Sequence, residues 1–84
     1  MIQVVLYSRE GCHLCHTAEA LLAKMRLTYP FQLSLVDIDK DAELVRLYNE
    51  CVPVISVNGQ IRFRGIINRV LLERLLQAES RASE

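Results

Sequence analysis

The strongest constraint on the fold is a regular alternation of two hydrophobic periods along a chain of 84 residues. Residues 2–7 form a nearly continuous apolar run rich in β-branched side chains, which is typical of a buried parallel strand. From residue 12 the apolar side chains recur with helical spacing, at Leu14, Ala18, Leu21, Leu22 and Met25. The chain is therefore predicted to begin with a strand, followed at once by an amphipathic helix that ends before residues 29–30.

The middle of the chain continues this alternation with a second strand and a second helix. Residues 31–38 begin with alternating apolar and polar side chains, which predicts a strand. Asp39 or Asp41 can cap the helix that follows, because a carboxylate at a helix start accepts a free backbone N–H. That helix is predicted over residues 42–49, with three side chains facing the core: Leu44, Leu47 and Tyr48.

The dipeptide Asn58-Gly59 separates two short apolar runs, residues 54–57 and 60–64. It predicts a hairpin with a type I′ turn, because both of its residues adopt positive φ readily. The order of elements is then β-α-β-α-β-β-α, with no linker or repeat, so we predict a small α/β sandwich. Strands separated by helices are expected to pair in parallel through right-handed crossovers, and the hairpin adds an antiparallel edge.

The C-terminal segment predicts a third helix and a short tail. Asn68 is a candidate N-cap for this helix. Its apolar face is predicted from Val70, Leu71 and Leu75, together with Leu72 or Leu76. Residues 78–84 are polar and are expected to fray. One domain is therefore predicted over residues 1–77.

Composition excludes several classes of function. The chain carries 10 Lys+Arg and 10 Asp+Glu, so its formal net charge is zero and it lacks the basic footprint of a nucleic-acid binder. Its longest apolar runs are far shorter than the roughly 18 residues that a transmembrane helix needs. The first residues also lack the basic region of a secretory signal. We therefore expect a cytoplasmic monomer that binds neither nucleic acid nor a membrane.

The chemistry of the sequence is concentrated in Cys12-His13-Leu14-Cys15, where the first strand gives way to the first helix. Close cysteine pairs in a reducing compartment are more often catalytic or metal-binding than structural. The helix N-terminus is expected to lower the pKa of the Cys12 thiol from about 8.5 toward 3.5–7.5, because it stabilises the thiolate. Cys15 lies one turn further, within reach of a disulfide. The pattern predicts thiol–disulfide exchange, with Cys12 as nucleophile and Cys15 as resolving thiol.

The same residues are compatible with other kinds of site. Cys12, Cys15 and His16 also satisfy the haem c attachment pattern, but such attachment normally occurs outside the cytoplasm and the strand pattern is wrong for a small haem protein. A zinc site would need a second ligand pair, and Cys51 is the only other cysteine. An iron–sulfur cluster shared between two chains, or an interaction domain whose dithiol does not turn over, stays open. His13 either adds positive charge beside Cys12 or is a solvated loop residue.

Taken together, these motifs resemble the small glutaredoxin-like proteins of the thioredoxin fold, over about residues 2–76. The resemblance rests on the order and spacing of Tyr7-Ser8-Arg9, Gly11-Cys12-His13-Leu14-Cys15, Asp37-Ile38-Asp39, Tyr48, Val52-Pro53-Val54 and the Gly59 hairpin. The Gly-Cys-His-Leu-Cys signature is similar to that of one bacterial glutaredoxin-like family. The resemblance implies a four-stranded mixed sheet, a cis Val52–Pro53 bond facing the dithiol, and an oxidoreductase of electron transport and cell redox homeostasis.

The resemblance also implies a substrate groove and its occupants. The residues that would line it are Arg9, His13, Leu14, Val52, Pro53 and Asn68. The backbone of Val52 would pair with an extended peptide or with glutathione. A disulfide-containing protein or glutathione is therefore the expected partner, with no cofactor other than glutathione as a candidate co-substrate.

Several positions depart from the typical glutaredoxin pattern. His13-Leu14 replaces Pro-Tyr between the cysteines, and Asn68 stands where the family has an aspartate that binds the glutathione amine. An amide accepts a hydrogen bond but offers no charge to an ammonium group. Cys51 replaces a threonine beside the groove, and we expect it to be a small buried hydrophobe rather than a third redox thiol. Arg9 keeps a cation near the position of the glutathione carboxylate.

Overall fold

The computed structural model of the protein describes residues 1–82, which form a four-stranded mixed sheet and three α-helices. The strands are β1 (Ile2–Ser8), β2 (Phe31–Asp37), β3 (Val54–Val57) and β4 (Gln60–Arg64). The helices are α1 (His13–Met25), α2 (Ala42–Tyr48) and α3 (Arg69–Ala82), with a 3₁₀ turn over Ile38–Lys40 before α2. The strand order in the sheet is β2-β1-β3-β4. The predicted α/β class and the mixed sheet are confirmed.

The direction of β3 differs from the prediction. β1 and β2 pair in parallel, as expected, but β3 runs antiparallel to β1 although a helix precedes it. The reason is the shortness of α2, whose seven residues span about 10 Å. The seven residues of β2 span about 23 Å, so α2 cannot carry the chain back along the sheet. The chain therefore enters β3 at the edge of the sheet where β1 ends.

The core lies between one face of the sheet and helices α1 and α3. Its buried members are Ile2, Val4, Leu6, Ala18, Leu22, Met25, Phe31, Ile55, Val57, Leu72 and Leu76. Alternate residues of a strand point to the same face, so both helices cover the face that β1 presents at Ile2, Val4 and Leu6. This packing fixes the start of α1 against the end of β1, which is where the cysteine pair lies.

Several side chains predicted to be buried face the solvent instead. On α3, Leu72 and Leu76 are fully buried, whereas Val70 and Leu71 are 59% and 52% exposed. At 3.6 residues per turn, positions 70 and 71 point away from the stripe that passes through Leu72 and Leu76. On α2, Leu47 is 46% exposed, because this two-turn helix packs through the neighbouring stripe at positions 44 and 48.

The end of α3 also extends further than predicted. Helix α3 continues to Ala82, so residues 78–82 are helical and not frayed. The rest of the predicted tail, Ser83 and Glu84, lies outside the described residues. The domain boundary after residue 77 stays a prediction. None of the helices in the described part of the chain is long and apolar enough to cross a membrane.

The hairpin turn between β3 and β4 has the predicted geometry. Asn58 and Gly59 both have positive φ, 50° and 84°. Asn58 exchanges two hydrogen bonds with Gln3, since its N–H donates to the Gln3 carbonyl at 2.8 Å and its Oδ1 accepts from the Gln3 N–H at 2.9 Å. Its Nδ2 donates to Glu79 Oε2 at 2.9 Å. The turn is thereby tied to β1 and to the last turns of α3.

Candidate active site

Cys12 is the N-cap residue of α1, as predicted. Its backbone is extended, with φ −92° and ψ 107°, and its Sγ accepts a hydrogen bond from the Cys15 N–H at 3.2 Å. Its carbonyl accepts from the His16 N–H at 3.2 Å. The preceding Gly11 has φ +77°, a conformation that favours glycine. The sharp turn from β1 into α1 therefore places the Cys12 sulfur over the free N–H groups of the helix.

Cys12 and Cys15 form a disulfide in this structure, with their Cα atoms 5.2 Å apart. Cys12 is partly exposed, whereas Cys15, in the first turn of α1, is only 4% exposed. An incoming molecule can therefore meet the Cys12 sulfur first, while Cys15 stays close enough to displace it. This arrangement suits a stepwise exchange in which one sulfur attacks and the other resolves.

The segment Cys51-Val52-Pro53 enters the sheet beside the end of β1, because Val54 pairs with Tyr7. The Val52–Pro53 peptide bond is cis, and Pro53 is buried while Val52 is partly exposed. The structure thus has the cis bond that the resemblance implied and brings this segment to the dithiol end of the sheet.

The backbone N–H of Gly65 binds the residues on both sides of Val52. The Gly65 N–H donates to the carbonyls of both Cys51 and Pro53, at 2.9 and 2.8 Å. Within residues 1–82, the N–H and carbonyl of Val52 itself have no backbone partner. These two groups are therefore free to bind the backbone of a ligand.

Cys51 is in its thiol form and is partly buried. The expectation of a small buried side chain is met only in part, because residues 51 and 52 are still partly exposed before the chain turns inward at Pro53. The described part of the chain groups no three His, Cys, Asp or Glu side chains around a common point where a metal ion could bind.

The Arg9 guanidinium is held by the protein itself. Its Nε donates to Asp39 Oδ2 at 3.2 Å, and its Nη2 forms an ion pair with Asp39 Oδ1. Its Nη1 donates to the carbonyl and the Oδ1 of Asn49, at 2.8 and 2.7 Å. Four of the five N–H groups that a guanidinium offers are therefore engaged. Sequence reasoning did not identify Asp39 and Asn49 as these partners, because nothing in their local pattern links them to Arg9.

The other predicted groove residues, Asn68, His13 and Leu14, lie around the same end of the sheet. They differ in how far their side chains are already engaged by the protein. The Asn68 Oδ1 accepts from the Leu71 N–H at 3.0 Å, so this side chain caps α3 as predicted and its acceptor is already used. His13 and Leu14 are exposed on the first turn of α1. Leu14 was expected to continue the buried stripe of α1, but Cys15 takes that place and leaves Leu14 43% exposed.

A small cavity that was not predicted from the sequence borders the first turn of α1. Its volume is about 70 Å³, and it is lined by Leu14, Thr17, Ala18, Leu21, Gly65, Ile66 and Ile67. Ile66 is 81% exposed. The signal that could have pointed to it is a pair of isoleucines directly after a turn glycine, where a solvated loop normally has polar side chains.

Comparison with known proteins identifies relatives of the whole chain. Residues 3–77 match the family described as "Glutaredoxin-like domain (DUF836)". Protein Ne2328 from Nitrosomonas europaea, solved by NMR, is 30% identical, with 88% of this chain and 89% of that chain covered and a TM-score of 0.77. The X-ray structure of the target protein XcR50 from X. campestris is 32% identical, with coverages of 89% and 96% and a TM-score of 0.75.

More distant structures share the fold alone. Oxidised mitochondrial thioredoxin 3 from Saccharomyces cerevisiae is 20% identical, with 92% of this chain and 77% of that chain covered and a TM-score of 0.67. No curated protein sequence matches the chain. The family match and the Cys12–Cys15 pair support a redox thiol–disulfide function in general terms. Because the family match spans residues 3–77, the chain belongs to the glutaredoxin-like (DUF836) family.

Proposed function

We propose that the protein is a thiol–disulfide oxidoreductase that exchanges its Cys12–Cys15 pair with disulfides in polypeptide substrates. The observation that carries this proposal is the disulfide at the N-terminus of α1, with a partly exposed Cys12 as N-cap and a buried Cys15 one turn behind it. We further propose that it acts as a monomer in a reducing compartment, the cytoplasm, where the pair can return to its thiol form.

The exchange proceeds in two balanced steps. The Cys12 thiolate attacks one sulfur of the substrate disulfide, so that a Cys12–substrate bond forms, the substrate bond breaks and the departing thiolate takes a proton. Cys15 then loses its proton to solvent and attacks the Cys12 sulfur, which forms the Cys12–Cys15 disulfide and releases the second substrate thiol. The substrate gains two electrons and the protein loses two. A low-molecular-weight or protein dithiol returns the pair to its reduced form by the same chemistry.

The surroundings of Cys12 support its role as the attacking sulfur. The Cys15 N–H points at the Cys12 Sγ, and the positive end of the helix dipole favours a negative charge at this position. Cys15 is too deeply buried to meet a bulky disulfide before Cys12 does. Attack by Cys12 and resolution by Cys15 are therefore the order that the geometry favours.

The groups around the groove favour a polypeptide over glutathione. Glutathione carries two carboxylates and an ammonium, but Arg9 is already bound to Asp39 and Asn49, and the Asn68 acceptor already caps α3. The free backbone groups of Val52 suit an extended peptide, which can add main-chain hydrogen bonds in the manner of an extra strand. His13 and Leu14 lie exposed on the first turn and would contact such a peptide from the side of α1.

The test is a redox titration of the purified protein in glutathione buffers of graded potential, followed by alkylation and mass spectrometry. We expect one reversible two-electron transition that joins Cys12 to Cys15, with a midpoint between about −270 and −120 mV. The Cys51→Ser variant is the matched control and should titrate in the same way. The proposal is wrong if Cys12 and Cys15 remain separate thiols across this range.

A further inference from the structure

The cavity beside the first turn of α1 lies between the cysteine pair and the segment Cys51-Val52-Pro53. On one side it is bounded by Leu14, which stands between the two cysteines, and by Ala18, one helical turn beyond Cys15. On the other side it is bounded by Gly65, whose N–H is bonded to the carbonyls on either side of Val52. A chain laid along Val52 toward the Cys12 sulfur would therefore pass the opening of this cavity.

The size of the cavity restricts what can enter it. A dry apolar cavity of about 150 Å³ holds a benzene molecule, whereas this one measures about 70 Å³. At roughly the volume of two water molecules, it has room for the terminal methyl groups of a branched aliphatic side chain. An aromatic ring is too large unless the walls move.

The lining excludes a charged occupant. The described residues around the cavity carry no charge, and Leu14, Leu21, Ile66 and Ile67 give it an aliphatic surface. A carboxylate or an ammonium placed here would lose its water without gaining a partner, which is costly. Ile66 is 81% exposed, and an aliphatic side chain seated beside it would remove part of this apolar surface from water.

We propose that this cavity is a side-chain subsite that receives an aliphatic residue of the substrate polypeptide next to its half-cystine. It would thereby favour disulfides flanked by valine, isoleucine or leucine over those flanked by polar, charged or aromatic residues. The inference rests on the proposed exchange function and adds to it the class of substrate.

The test measures single-turnover oxidation of the reduced protein by three disulfides. Two are synthetic peptide disulfides that differ at one residue beside the half-cystine, isoleucine in one and serine in the other. The third is 2-hydroxyethyl disulfide, which has no side chain to place in the cavity. We expect the isoleucine peptide to react about tenfold faster than the serine peptide, in line with the worth of a small apolar group in a fitted pocket.

Two variants remove the subsite in different ways. Ile66→Ser removes its apolar rim, and Thr17→Leu fills its interior. Both should bring the ratio between the two peptides close to one and leave the reaction with 2-hydroxyethyl disulfide unchanged. Leu27→Ser is the matched control, because Leu27 is 87% exposed and follows the far end of α1. It should keep the wild-type ratio.

The outcomes separate the subsite from the exchange function. Equal rates for the two peptides in the wild-type protein, or a preference that survives both variants, would overturn the subsite while 2-hydroxyethyl disulfide is still reduced. If reduction of 2-hydroxyethyl disulfide itself does not depend on Cys12, the proposed function fails and the subsite fails with it.

Discussion

At the scale of single residues, Cys12 has two roles, one in the stability of α1 and one in the proposed chemistry. It caps α1 through its Sγ and its carbonyl, and in our proposal it supplies the attacking sulfur. The first role could be predicted from its place after Gly11, at the point where the hydrophobic period changes from that of a strand to that of a helix. The burial of Cys15 could be predicted in the same way, since it lies one turn inside the helix.

The capping role predicts a difference between two substitutions of Cys12. Under reducing conditions, Cys12→Ser should be about as stable as the wild type, because serine is a good N-cap residue. Cys12→Ala should be less stable than Cys12→Ser by about 0.5–2 kcal/mol. Urea unfolding followed by circular dichroism measures both. Equal stabilities for the serine and alanine variants would show that the cap contributes nothing.

Arg9 illustrates a role that no local pattern could supply. The contact with the glutathione carboxylate that the resemblance implied stays a prediction. In this structure the guanidinium joins the loop after β1 to the 3₁₀ turn and to the end of α2 through Asp39 and Asn49. These partners are distant in sequence, so their contact depends on the completed fold. We regard Arg9 as a residue that positions the loop before Cys51.

Replacing Arg9 should therefore cost stability. Arg9→Ala is expected to lose about 1–2 kcal/mol in free energy of unfolding, because it leaves the partners of a partly buried, hydrogen-bonded charge without a donor. Arg9→Lys should recover only part of this loss, since an ammonium cannot reproduce the forked geometry.

The control for this prediction is Arg46→Ala on α2. Arg46 forms a solvent-exposed ion pair with Glu43, and this side-chain hydrogen bond lowers the pKa of Glu43. The pair is largely screened by water, so its loss should not measurably change the unfolding curve. The interpretation of Arg9 would be wrong if Arg9→Ala and Arg46→Ala had the same small effect.

At the scale of elements, the turn between β3 and β4 was predictable and the direction of β3 was not. Asn58-Gly59 encodes its turn locally, because both residues tolerate positive φ. The direction of β3 depends instead on the length of α2 relative to β2, which is a property of two elements together. The C-terminal end of α3 also lies further along the chain than predicted. Its last turns are polar in sequence, but the hydrogen bond between Asn58 and Glu79 ties them to the hairpin.

The Asn58 turn yields a prediction that separates backbone from side chain. Both variants keep the bond from the backbone N–H of residue 58 to the Gln3 carbonyl. Asn58→Gly keeps the positive φ but loses the two side-chain bonds, to the Gln3 N–H and to Glu79, whereas Asn58→Ala loses the same two bonds and also adds backbone strain. We expect Asn58→Ala to be the less stable of the two by about 1 kcal/mol. Thermal unfolding of the two variants measures the difference. A more stable alanine variant would contradict the role assigned to the turn.

At the scale of the whole molecule, the core was predictable in outline. The apolar run along β1 and the stripe along α1 contain Ile2, Val4, Leu6 and Leu22, which are all buried. The leucine-rich α3 was ambiguous, because its sequence contains two overlapping apolar stripes and only packing against the sheet selects the one through Leu72 and Leu76. The cavity beside Ile66 could not be predicted, since it forms where a loop and a helix distant in sequence meet.

The buried stripe of α3 gives a stability prediction for the whole domain. Leu72→Ala should lower the free energy of unfolding by about 2–5 kcal/mol through lost burial and a new cavity. This is a large part of the roughly 4–13 kcal/mol expected for a domain of this size. Leu71→Ala, at a 52% exposed position one residue away, should have little effect. Similar losses in urea unfolding would contradict the assigned face of α3.

The most direct test of the account is to trap the first exchange step. Reduced Cys15→Ser is mixed with a peptide disulfide and analysed by mass spectrometry without reductant, with reduced Cys12→Ser as the matched control. We predict a stable adduct of one peptide per chain on Cys12 in the first variant and far less adduct in the second. Adduct formation on Cys15 or Cys51 in preference to Cys12, or equal yields in the two variants, would contradict the assignment of Cys12 as the attacking sulfur.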